Sequence, residues 1–187
     1  MSQSLLLKVA RQSITEVLTA SREINVLELK QKYPVLNEKM ATAVTLFVDG
    51  EVRSHYCSLY PEQSLIDDFI QSAKIAAFEM DNYPPITTSQ YLHVSVEVSI
   101  LTPLKELSYN SFDELESYIQ PYKDGIIMSC DKGEAYLFPN AWSEVKTSAI
   151  AIEKLADILD IRKNLEQKPK IEIFQVQSAK DRAILQI

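Results

Sequence analysis

Apolar side chains recur along this chain with two different periods, and each change of period marks a change of element. Leu6, Val9, Ala10, Ile14, Val17 and Leu18 are spaced by threes and fours between Ser4 and about Ala20, which predicts an amphipathic first helix. Asn25 reads as the N-cap of a short second helix, ended by Pro34 after Lys32-Tyr33. Thr42 to Val48 is then β-branched and apolar. Asp49-Gly50, a favoured two-residue hairpin turn, sends the chain back along 52–58 as a second strand. Ser64 caps a further helix whose apolar set, Leu65, Ile66, Phe69, Ile70, Ala73, Ala76, Ala77 and Met80, follows the helical period closely. Pro84 and Pro85 forbid its continuation and push Tyr83 toward an extended conformation.

From Leu92 to Leu101 the period becomes two. Leu92, Val94, Val96, Val98 and Ile100 fall on one face and His93, Ser95, Glu97 and Ser99 on the other, a half-buried antiparallel strand that stops at Pro103. Ser111 and Glu114 form a capping box opening a helix to about Gln120. Gly125 to Cys130, a turn at Asp131-Lys132-Gly133, and Glu134 to Phe138 predict a second hairpin, followed by a structured loop from Pro139 to Trp142. Thr147 caps a helix through Ile161 carrying Ile150, Ala151, Leu155, Ile158 and Leu159. The charged run Arg162 to Lys168 reads as a solvated connection, and Lys170–Val176 and Arg182–Ile187 as two final strands. Hairpins interleaved with helices, without a regular β-α-β alternation, predict an α+β fold with antiparallel sheets flanked by helices.

Composition narrows the function classes. With 187 residues the chain can bury a sizeable core, as one large domain or two small lobes. The longest nearly apolar run, near Thr42 to Val48, is far shorter than a membrane-spanning helix requires, and the amino end carries charge too early for a secretory signal; a cytoplasmic protein is expected. A formal net charge of −7 argues against a general nucleic-acid binder. Cys57 and Cys130 stand far apart, so reduced thiols are expected rather than a zinc ribbon, a redox dithiol or a disulfide. With only 3 glycines, Gly50, Gly125 and Gly133, the chain can hold neither a GxGxxG fingerprint nor a P-loop.

The densest chemistry lies in the return arm of the first hairpin. By strand alternation Arg53, His55 and Cys57 project together and Ser54, Tyr56 and Ser58 project oppositely. His55 and Cys57 suit a nucleophile with its base, or two metal ligands, though no metal site is assigned, since a zinc ion would draw further ligands from His93, Cys130 or carboxylates. The plainer reading makes Cys57 a buried thiol and His55 an interface residue. Arg53 is the candidate for recognising an anion or carboxylate; its alternative is an ion pair with Glu79 or Glu97. His93, Ser95, Glu97 and Ser99 form a solvated sheet face or one wall of a cleft between lobes. Tyr83-Pro84-Pro85 is either a ledge for a ligand or core packing. The aromatic set Tyr136, Phe138 and Trp142 is either an anchor for a partner or core packing.

Taken in order, these segments resemble the AMMECR domain family. Val52-Arg53-Ser54-His55-Tyr56-Cys57 occupies the place of the family's Leu-Arg-Gly-Cys-Ile-Gly signature, after the same hairpin and before the same long helix. The likeness continues through Ala76-Ala77-Phe78-Glu79, Tyr83-Pro84-Pro85-Ile86-Thr87, Val96 to Pro103, Asp124-Gly125-Ile126-Ile127 and Tyr136 to Glu144. Within the signature, Ser54 replaces the first glycine, His55 the cysteine, Tyr56 the isoleucine and Cys57 the second glycine, while Arg53 is retained. The resemblance implies one domain over 1–187 with two unequal lobes, both chain ends in the larger. It also implies kinship with bacterial and archaeal protein A of the AmmeMemoRadiSam system, which accompanies a Memo-like protein and a radical SAM protein. An accessory or binding component of such a system is therefore expected. The alternative is an enzyme or small-ligand-binding protein that uses an interlobe cleft with Arg53 as its clamp and His55, Cys57, Glu79 or Glu97 nearby. The resemblance names neither a reaction nor a cofactor.

Overall fold

The structure, a computed structural model, describes residues 3–161 and 168–184, and the chain divides into two units. The first contains the segment up to Leu101 together with the stretch from Gln177 onward; the second is Thr102–Val176.

In the first unit helix α1 (Gln3–Thr19) buries Leu6, Val9, Ala10 and Ile14, as their spacing predicts, and leaves Val17 exposed. Helix α2 (Val26–Lys32) begins at Asn25, whose side chain accepts the Glu28 N–H. Strands β1 (Thr42–Val48) and β2 (Glu51–Ser58) form the expected hairpin, with Asp49 and Gly50 both at positive φ, the backbone that the Asp-Gly pair tolerates best. Helix α3 (Leu65–Phe78) lies across this hairpin and buries Leu65, Ile66, Phe69, Ala73, Ala76 and Ala77. It ends short of Met80, and the Ile86 N–H donates to the Ala77 carbonyl.

The predicted strand from Leu92 starts later than its alternation suggests. Thr87 and Gln90 make a reciprocal capping box that winds Thr88–Tyr91 into a one-turn helix, α4, and the His93 N–H closes onto the Gln90 carbonyl. Strand β3 is therefore Val94–Leu101, antiparallel to β1. Val94, Val96 and Val98 face a core shared with α1 and α3.

The second unit has its own core around Trp142, Leu115, Ile126, Met128, Leu155 and Ile171. It contains β4 (Lys105–Leu107), α5 (Phe112–Tyr118), the hairpin β5 (Asp124–Cys130) and β6 (Gly133–Leu137), and helices α6 (Trp142–Val145) and α7 (Ser148–Ile158). In α7 the buried apolar set is Ala151, Ile152, Leu155 and Ala156, while Ile150 and Ile158 are exposed. The helix is thus rotated slightly from the face that the sequence suggests.

Among the described residues the predicted pair of final strands gives a single one, β7 (Lys170–Lys180). Its amino-terminal part pairs with β5 and β4 in the second unit, and its end lies beside β3 in the first. Just past β7 the Asp181 N–H still donates to the Val96 carbonyl, but its carboxylate takes the Val96 N–H in return and pairs with Arg11, which ends the strand there. The charged connection, apart from Lys168, and the last three residues lie outside the described residues. Among the described residues no helix is long and apolar enough to cross a membrane.

Candidate functional site

The two faces of β2 have different fates. On one, the Thr45 hydroxyl and His55 Nδ1 are hydrogen-bonded at 2.8 Å, and Thr45 stands opposite both His55 on β2 and Glu97 on β3. Cys57 lies along the same face, opposite Ala43. Burial pushes the Cys57 thiol up to about 12, with the Asp68 charge adding to the effect, so the sulfur is a protonated thiol at neutral pH. Burial also lowers the His55 pKa, favouring the neutral ring. The alternation thus places His55, Cys57 and Glu97 on one sheet face.

Arg53 departs from them. The pairing of β1 with β2 shifts between Leu46 and Phe47, leaving Arg53 as the extra residue of a bulge. Its guanidinium donates to the Pro84 carbonyl and stacks 5.5 Å from the Tyr83 ring centroid. It makes no ion pair with Glu79 or Glu97; Glu79 is exposed at the end of α3. The Tyr83-Pro84-Pro85 segment is therefore a partner of the signature arginine.

The opposite face of β2 builds a pocket. Thr42 and Ser58 are cross-strand partners at the open end of the hairpin, and both hydroxyls donate to one carboxylate on α3. Thr42 reaches Asp68 Oδ2 at 2.5 Å and Ser58 reaches Oδ1 at 2.9 Å; the Ser72 hydroxyl lies 3.1 Å from that of Thr42. Asp68 is only 4% exposed. Burial raises its pKa against the lowering effect of the two hydroxyl donors. Around it opens a cavity of about 480 Å³ lined by Tyr56, Ser58, Tyr60, Glu62, Gln63, Asp68, Gln71 and Ser72. At its rim the Gln63 amide donates to Gln71 Oε1. Among the described residues no group of three or more histidines, cysteines and carboxylates is placed to hold a metal ion.

Sequence alternation draws attention to Arg53, His55 and Cys57 and passes over Asp68. A signal was present: Ser72 sits on the buried stripe of α3 between Leu65 and Ala76, with Asp68 one turn before it. A polar pair on an otherwise apolar stripe needs partners, and the hairpin end supplies them.

Fold and site define an α+β protein with a polar pocket between its first hairpin and its long helix. The AMMECR1 family model matches residues 7–179, and the chain belongs to this family. A protein of Methanothermobacter thermautotrophicus is 33% identical over 74% of this chain and 71% of its own length. One of Thermofilum pendens is 32% identical over 73% and 68%. The crystal structure of the uncharacterised protein PH0010 from Pyrococcus horikoshii has a TM-score of 0.81, with 23% identity over 95% of this chain and 90% of that one, a likeness of fold.

Proposed function

We propose that this protein works by recognition, as a cytoplasmic binding component of an AmmeMemoRadiSam-type system, and holds a small molecule in the pocket between β2 and α3. One observation carries the reading: the signature strand gives its reactive side chains to the fold and its hydroxyl face to an open cavity. His55 is engaged by Thr45, Arg53 by Pro84 and Tyr83, and Cys57 is a protonated thiol, whereas Tyr56 and Ser58 line the cavity. The cavity volume lies within the range of small-ligand sites. Two free thiols, Cys57 and Cys130, suit a reducing compartment.

The test is purification of the tagged full chain from its native host without chelator, followed by native mass spectrometry. A retained mass together with co-purifying Memo-like or radical SAM protein is expected. Recovery of the bare chain alone would count decisively against the proposal.

A second reading keeps Arg53 as a clamp for a carboxylate, because its Nη1 is buried with no hydrogen-bond partner. Titration with acetate and succinate tests it. Binding lost in Arg53→Ala and not restored in Arg53→Lys supports a bidentate clamp, and absence of binding removes it.

A further inference from the structure

If the pocket between β2 and α3 is a receptor, as proposed above, its lining selects the charge of what it receives. The eight lining residues include two carboxylates, Glu62 and Asp68, two tyrosine rings, Tyr56 and Tyr60, and no lysine, arginine or histidine. The nearby lysine on α2, Lys30, is paired with Asp67 at 2.6 Å. An anion entering this space would meet two carboxylates without a countercharge.

Hydrogen-bonding capacity points the same way. The Thr42 and Ser58 hydroxyl protons are directed at Asp68, and the Ser72 hydroxyl is shared with Thr42. The Gln63 amide is turned to Gln71. Asp68 accepts one bond on each oxygen from these partners, so a carboxylate with about four acceptor positions keeps some of them for a further donor. Two phenol rings beside two carboxylates are the surroundings in which an alkylammonium gains both a salt link and contact with aromatic faces.

We propose that the pocket binds a small organic cation, a primary amine or alkylammonium, with Asp68 as its charged anchor, Glu62 at the rim, and Tyr56 and Tyr60 against its carbon chain. Burial raises the Asp68 pKa above its ordinary value, and an ammonium beside it would favour the charged carboxylate.

The test is isothermal titration calorimetry of the full chain at 150 mM salt with four probes: putrescine, choline, 1,4-butanediol and succinate. At least one of the two cations should bind, with butanediol silent and any succinate binding indifferent to substitutions in the pocket. Asp68→Asn should weaken the cation at least tenfold. Because Asp68 is buried, Glu62→Gln and Tyr60→Ala, both at exposed positions, provide a second measure and should each weaken it several-fold with unchanged circular dichroism. Butanediol or succinate binding better than either cation, in a manner sensitive to Tyr60→Ala, would overturn the cation and leave the receptor standing. Cation binding indifferent to all three substitutions would place it elsewhere and overturn the proposal. Silence of all four probes would overturn both readings.

Discussion

Cys57 and Asp68 are both acids that burial drives toward their neutral forms, and each ties stability to pH in the same direction. The Cys57 thiol titrates near 9.0 when unperturbed and at about 12 in the fold, so between these values the native chain holds a proton that the unfolded chain has released. Its contribution is intact below about 9 and is lost as pH rises through 12. Urea midpoints should fall from pH 8 to pH 10.5, less steeply in Cys57→Ser, and iodoacetamide should label Cys57 slowly until the chain unfolds. Rapid labelling of the native protein at pH 8 would contradict the burial argument. For Asp68 the folded value is raised above the ordinary 3.8, so the stability it adds is complete below that value and declines as pH rises through the folded one. Compared with Asp68→Asn, the wild-type chain should gain stability as pH falls from 7 to 4.5, measured by urea denaturation at both ends. The opposite slope would mean that the Thr42 and Ser58 bonds outweigh burial. Both side chains are visible in the sequence, but strand alternation singles out only Cys57. An aspartate in the first turn of a helix is unremarkable until a neighbouring hairpin is known to end against it.

The hairpin and α3 were the most legible elements, because their periods are long and their boundaries carry turn and cap residues. What could not be read was the bulge. Period-two alternation through Arg53, His55 and Cys57 assumes an unbroken ladder, and the shifted register at Leu46/Phe47 takes Arg53 out of the set and gives it to Tyr83 and Pro84. Over the described residues 182–184 the expected last strand does not form, for a similar reason: Asp181 is committed to Arg11 and Val96, partners far away in sequence. Strand β5 holds a third such case. Gly125 stands opposite Phe174 on β7, and a Cβ at that position would overlap the Phe174 ring. The constraint comes from a close approach, so nothing local in the sequence announces it. Gly125→Ala should cost about 1–3 kcal/mol by overpacking, read as a lower urea midpoint. A neutral result would mean that the ring moves aside freely.

Each of the two units assembles a hydrophobic core from its own residues. Phe69, fully buried, belongs to the first core; Trp142, also fully buried, belongs to the second, where its indole N–H donates to the Asp124 carbonyl at 2.6 Å. The sequence predicted α+β architecture from the interleaving of hairpins and helices. It could not assign strands to units, since β7 serves both and its two pairings join segments distant along the chain. The single tryptophan makes the division measurable. Phe69→Ala removes an aromatic side chain from the first core and should cost about 3–5 kcal/mol there, the range for large-to-small changes that leave a cavity. Far-UV circular dichroism is weighted toward the first unit, which holds the two longest helices, α1 and α3, whereas Trp142 fluorescence reports the second core alone. In the variant the circular dichroism transition should begin at lower urea than the fluorescence transition, the mark of separate cooperative units. If the two probes remain coincident while both midpoints fall, the loss of one core is felt in full by the other and the chain unfolds as one body.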